Sequence, residues 1–151
     1  NYTMPDTLSL HDALPISEVI AAAPDTRCFR DPTRGGLAST LNELAGQSGV
    51  DFIVDEGAVP VKDAVLGACE MLGYDVYQVA NEGKMVCVVP AEQADAALAA
   101  MKANKYGVDA AIIGEVVETP EERDPRVSIR TGFGALRIMD MLVGEQLPRI
   151  C

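Results

Sequence analysis

Apolar positions recur at helical spacing in three stretches of this chain and run as short alternating or continuous blocks in several others. Leu37, Thr40, Leu41, Leu44 and Ala45 share one face of a 3.6-residue period, which predicts an amphipathic helix over 35–47 ending near Gly49. Val61, Val65, Ala68, Cys69 and Leu72 predict a second helix stopped by Gly73, and Pro90 opens a third that runs to about Lys105. Residues 17–23 read as the end of a helix broken at Pro24. Between these lie candidate strands: a short extended segment at 27–30, then 50–54, the fully apolar 85–89, 110–117 and 126–130, with 137–141 adding a last one. The segment 118–125 is a charged loop, and Glu121-Glu122-Arg123-Asp124 within it reads as solvated. Helices interleaved with strands, and a closing hairpin, predict an α/β fold: an open mixed sheet with helices packed on it.

Composition narrows the class. A chain of 151 residues suits one domain, and 48% apolar residues with a mean hydropathy of +0.12 mark a globular chain. The formal charge of −11 argues against nucleic acid, which requires a positive surface. No run of 18 apolar residues exists, so no membrane span is expected. The four cysteines, Cys28, Cys69, Cys87 and Cys151, contain no C-x-x-C pair, and no secretory signal precedes them. A reduced, cytoplasmic protein with Cys69 and Cys87 as core residues is the simplest reading. Of the six methionines, Met71, Met85, Met101, Met139 and Met141 read as core filler.

Residues 1–16 differ in character from the rest and resemble translated sequencing adapter; they are set aside from the fold as a non-native leader, expected to pack against nothing. His11 is the single histidine and lies in this leader. Without it, Ser–His and Cys–His nucleophile pairs and histidine metal sites are excluded. Asp51, Asp55 and Glu56 fit no metal-ligand spacing, so no metal site is assigned. The domain reading is therefore a leader at 1–16, an α/β domain at 17–143, and a tail at 144–151.

Three places could carry chemistry. Asp31-Pro32-Thr33-Arg34-Gly35-Gly36 sits at a helix start, where glycines let backbone approach a ligand, free N–H groups favour an anion, and Arg34 offers a guanidinium fork. The same segment is equally a strand–helix turn with Asp31 as cap. Asn81-Glu82-Gly83-Lys84 precedes the apolar strand; a carboxylate held there beside apolar walls suits a general base, while a solvated turn accounts for the same residues. The third place is Cys151, a thiol at the last position of a tail with a hinge at Gly144. It is too late in the chain for prenylation, which needs cysteine four residues from the end.

The blocks Arg30-Asp31-Pro32-Thr33-Arg34-Gly35-Gly36-Leu37-Ala38, Asn42-Glu43-Leu44-Ala45, Ala68-Cys69-Glu70-Met71-Leu72-Gly73, Val79-Ala80-Asn81-Glu82-Gly83-Lys84, Ala111-Ile112-Ile113-Gly114-Glu115-Val116 and Pro148-Arg149-Ile150-Cys151, in that order, resemble the HypE family of hydrogenase maturation proteins over about residues 17–151. The resemblance implies an α/β sandwich like the C-terminal domain of the aminoimidazole ribonucleotide synthetase-like superfamily. It also implies an ATP-dependent carbamoyl dehydratase whose ATP and Mg are held through an N-terminal domain without counterpart here, so that this fragment alone is inactive. In that family the terminal cysteine is carbamoylated by HypF and dehydrated to a thiocyanate. The cyano group then passes through HypC–HypD to the iron of a [NiFe] hydrogenase, and the full-length protein is expected to be a homodimer. On this basis Cys151 and Glu82 are the catalytic candidates, and Arg34, Gly35, Gly36 and Asn81 the cofactor-binding ones. Two other readings stay open: a non-catalytic carrier displaying Cys151, and the C-terminal domain of a related synthetase for aminoimidazole ribonucleotide or selenophosphate.

Overall fold

A computed structural model describes residues 2–6 and 14–141. In chain order the elements are β1 (Tyr2–Asp6), α1 (Leu14–Ala22), β2 (Cys28–Arg30), α2 (Gly36–Ser48), β3 (Val50–Asp55), α3 (Asp63–Leu72), β4 (Val86–Pro90), α4 (Ala94–Ala103), β5 (Ala111–Glu118), β6 (Val127–Arg130) and β7 (Leu136–Ile138). Single 3₁₀ turns lie at Glu56–Ala58, Val76–Gln78 and Ala91–Gln93. The strands form one seven-stranded sheet in the order β2-β4-β1-β5-β3-β6-β7. It is mixed, because β3 and β6 run parallel while the remaining pairs are antiparallel, and β6–β7 is the closing hairpin.

Strand alternation divides the core into two layers. On β4, Val86 and Val88 face α2, whereas Cys87 and Val89 face α1 and α4. Covered on both sides, β4 is buried along its whole length, which is why it reads as a continuous apolar run. Leu37, Ala38, Leu41 and Ala45 of α2 close one layer over Phe52, Val54, Val127 and Ile129; Val19 of α1 with Ala97 and Met101 of α4 close the other. On β5 the register against β1 slips between Met4 and Pro5. Ile113 is the extra residue of this bulge, which shifts the alternation, so Ile113 and Val116, an odd number of residues apart, both serve the α2 layer. Met85, Met101 and Met139 are core residues as expected, but Met71 and Met141 are exposed.

Two expectations are corrected. Setting residues 1–16 outside the fold fails, because Tyr2–Asp6 forms the central strand, antiparallel to β4 on one side and β5 on the other. Sheet pairing is made by backbone groups, so a segment without an apolar signature can fill the gap between two strands. The leader also supplies the start of α1 at Leu14, and Ile16 packs against the α1–α4 layer. The charged loop is likewise not wholly solvated. Arg123 forks onto the buried Asp51, whose Oδ1 also accepts from Thr119 Oγ1 at 2.9 Å and from the Arg126 N–H at 3.0 Å. The Arg123 hydrogen bonds, foremost, hold the Asp51 carboxyl below its usual range, against an opposing desolvation.

A depressed pKa contributes stability that is complete above the ordinary aspartate value and is lost as the pH falls through the folded one. Asp51→Ala is expected to lower the unfolding midpoint at neutral pH by roughly 4–8 °C. Calorimetry across pH checks this: the gap to the parent chain should narrow on strong acidification, and a gap constant with pH would contradict it.

Candidate functional site

The loop 31–35 leaves β2 and enters α2 through two left-handed glycines, Gly35 at φ +69° and Gly36 at φ +61°. Arg30 at the end of β2 pairs with Glu43 of α2, and Thr40 Oγ1 donates to the Asp31 carbonyl at 3.4 Å, so helix and loop are fastened together. Asp31 does not cap α2: the N-cap is Gly35, which brings no side-chain cap hydrogen bond. Gly36 is buried for a packing reason. A Cβ built on it would lie 2.6 Å from the Tyr77 carbonyl oxygen and 2.5 Å from that of Val79. The space on the Cβ side of Gly36 is therefore filled by the chain's own backbone, which gives this glycine a packing role.

The backbone that fills it belongs to the 3₁₀ turn Val76–Gln78 and to Val79 just after it, and Asp75 caps the turn by accepting from the Tyr77 N–H at 3.0 Å. Tyr77 is buried, and desolvation first, then the Glu56 and Asp75 carboxylates, push its phenol pKa up, so it faces the site neutral. Four residues after Tyr77, the Asn81 N–H donates to the Pro32 carbonyl at 3.2 Å. The two motif blocks, far apart in sequence, thus form a single wall.

That wall bounds a cleft of about 770 Å³. Pro32 and Leu37 from the first block and Asn81, Gly83 and Lys84 from the second line it. Valines, Tyr77 and Lys62 line the sides together with Tyr106 and Asp109. Two ammonium groups and an amide, set against the single carboxylate of Asp109, suit a polar ligand that carries negative charge on the lysine side. Among the cofactor-binding candidates, Asn81 lines the cleft, whereas Arg34 and Gly35 are not among the lining residues and Arg34 is exposed. Glu82 is exposed at the rim and is not part of the lining, so the apolar enclosure expected around its carboxylate is not there. Cys151, Gly144 and His11 lie outside the described residues.

Lys62 and Tyr77 were not legible as site residues. Val61 falls on the periodic pattern that predicts a helix, yet Val59 to Lys62 precede α3, which begins at Asp63. Pro60 was the available signal, since the residue before a proline is biased towards extended backbone. Of the acidic residues weighed for a metal, Asp51 and Asp55 are engaged instead by Arg123 and Arg130. Cys69 and Cys87 are buried, and desolvation pushes the Cys87 thiol up to about 12.

Residues 5–124 match the family described as AIR synthase related protein, C-terminal domain. Carbamoyl dehydratase HypE of Cupriavidus necator is 51% identical over 146 residues, which cover 97% of this chain and 40% of that protein. Among solved structures, hydrogenase maturation protein HypE in complex with ATP superposes with a TM-score of 0.86 at 36% identity, covering 99% of this chain and 52% of that one. The HypE of a HypE–HypF complex gives 0.83 at 33% identity, covering 93% and 53%. The chain spans about 40% of the length of the curated relatives it matches.

Gly36→Ala should destabilise the protein by about 2–4 kcal/mol, through left-handed strain and the collision with the Val79 and Tyr77 carbonyls. Gly46→Ala, in the same helix with nothing within 4 Å, should stabilise by about 0.5–1 kcal/mol. Urea unfolding of the two variants checks the pair; equal effects would refute the packing role of Gly36.

Proposed function

The chain belongs to the AIR synthase related protein family, as its C-terminal domain, and from that membership we propose that it is the substrate-bearing part of an ATP-dependent carbamoyl dehydratase in [NiFe] hydrogenase maturation. The observation that carries this reading is the 51% identity to a carbamoyl dehydratase HypE along 97% of the chain. Convergence of the two motif blocks on one cleft supports it. In this reading a HypF-type carbamoyltransferase loads a carbamoyl group onto the Cys151 sulfur in the cytoplasm. ATP supplies the phosphoryl group that turns the amide oxygen into a leaving group. Loss of phosphate and of both amide protons then leaves the S–C≡N group, which HypC–HypD passes to iron.

The roles proposed for this chain's residues follow from position. Glu82, at the rim of the cleft, takes a proton from the amide nitrogen as the C–O bond breaks. Lys62, Lys84 and Asn81 hold the negative charge that develops on the phosphorylated oxygen. The uncapped amino end of α2, with Gly35 and Arg34, presents N–H groups and a guanidinium to a phosphate edge. These donors fit the phosphate side of ATP. Among the described residues no group of three carboxylate, cysteine or histidine side chains could hold Mg, so its ligands are assigned to the part of the longer protein that this chain does not span. The full-length protein is proposed to be a homodimer, and this chain alone to turn over no ATP; alone it would act as a carrier of the Cys151 thiol.

Incubation with carbamoyltransferase, carbamoyl phosphate and ATP, read by peptide mass spectrometry, tests the proposal. The carbamoyl group should appear on Cys151 and be abolished by Cys151→Ala, with buried Cys69 and Cys87 unmodified. In a protein restored to full length, Glu82→Gln should slow the dehydration by roughly 10²–10⁴-fold while leaving carbamoylation intact. Modification elsewhere, or none in the full-length protein, would overturn the reading.

A further inference from the structure

Helix α3 has the composition of a buried helix and the exposure of a surface one. A surface helix carries its apolar residues on one stripe and its charges opposite. On α3 the charged residues are Asp63 and Glu70, seven residues apart and therefore on one narrow edge. The remaining circumference is apolar. One side, through Cys69 and Val65, faces the protein and the cleft. The side away from it carries Ala64, Gly67, Ala68 and Met71, with Leu72 flanking, while Leu66 lies across the Asp63–Glu70 edge. Cys69 is the single buried residue of the helix, while Met71 is 88% and Leu72 65% exposed. A Cβ on Gly67 would meet nothing within 4 Å. Scattered apolar residues on a surface are ordinary, but a contiguous face of this kind marks a contact.

We propose that the outer face of α3, centred on Gly67, Met71 and Leu72, is the docking surface for the additional domain carried by the longer relatives. The chain covers about 40% of those proteins and matches a family defined as a C-terminal domain. The relatives therefore hold a further body of protein to which this domain must attach. The small residues Ala64, Gly67 and Ala68 permit close approach of a second backbone, and Met71 supplies an adaptable apolar knob. Val65 of the same helix and Lys62 just before it line the cleft. A domain seated on α3 therefore borders the cleft and helps to close it from water. A second copy of this chain is the competing occupant.

The methionines provide the test without substitution. Oxidation by dilute hydrogen peroxide, followed at each methionine by peptide mass spectrometry, is measured in this chain alone. It is then repeated in a full-length protein in which this chain replaces the corresponding part of the Cupriavidus necator relative. Met71 should oxidise readily in the chain alone and roughly tenfold or more slowly in the longer protein, since oxidation follows exposure. Buried Met85 and Met101 should stay protected in both. Equal Met71 rates in the two proteins would overturn the proposal, as would protection in the isolated chain that grows with its concentration, the mark of a second copy. Leu72→Glu gives an independent reading: the unfolding midpoint of the chain alone should hold while that of the longer protein falls. A fall of equal size in both would contradict the interface.

Discussion

The arrangement of this domain turns on one contact between two stretches of backbone. Gly36, the first residue of α2, lies against the carbonyl oxygens of Tyr77 and Val79, so closely that no β-carbon fits between them. That contact sets the position of α2, whose Leu37, Ala38, Leu41 and Ala45 fill one of the two core layers. It also brings the loop 31–35 alongside the turn 81–84, where the Asn81 N–H closes onto Pro32. Core and cleft therefore depend on the same glycine. A larger residue there would separate the motif blocks as well as loosen the core.

Much of the fold could be read from periodicity. The helices ending at Ser48 and Leu72 and the strands at 50–55, 86–90, 111–118 and 127–130 follow from apolar spacing and from the glycines that stop the helices. What escaped has a common cause. Strand β1 is held through its backbone, and its Pro5, which lacks an N–H, argues against a central strand; a bulge accommodates it. Arg123 looked solvated because its partner Asp51 is distant in sequence, on a strand that would ordinarily present a charge to water. Local patterns carry no information about such pairings.

The candidate site was legible in part. Sequence motifs pointed to the two segments that meet, but not to the way they meet. Gly36 serves backbone packing, and Glu82 is exposed while its neighbours Asn81, Gly83 and Lys84 line the cleft. Lys62 and Tyr77 enter from segments without a motif, placed there by the extended run before α3 and by the 3₁₀ turn capped by Asp75. The cleft walls are thus assembled from both kinds of signal: motif residues on one side and topology on the other. An apolar helix beside the opening supplies the surface on which a further domain can complete the enclosure.

The central claim, that backbone packing at Gly36 joins the two motif blocks into one wall, is tested most directly by amide hydrogen exchange at Asn81. In the parent chain this amide should exchange slowly, as a hydrogen-bonded group opening only with α2. In the Gly36→Ala chain it should exchange at the rate of an open loop, while the amides of β4 remain protected. Fast exchange of the Asn81 amide in the parent chain, or unchanged protection in the variant, would contradict the account.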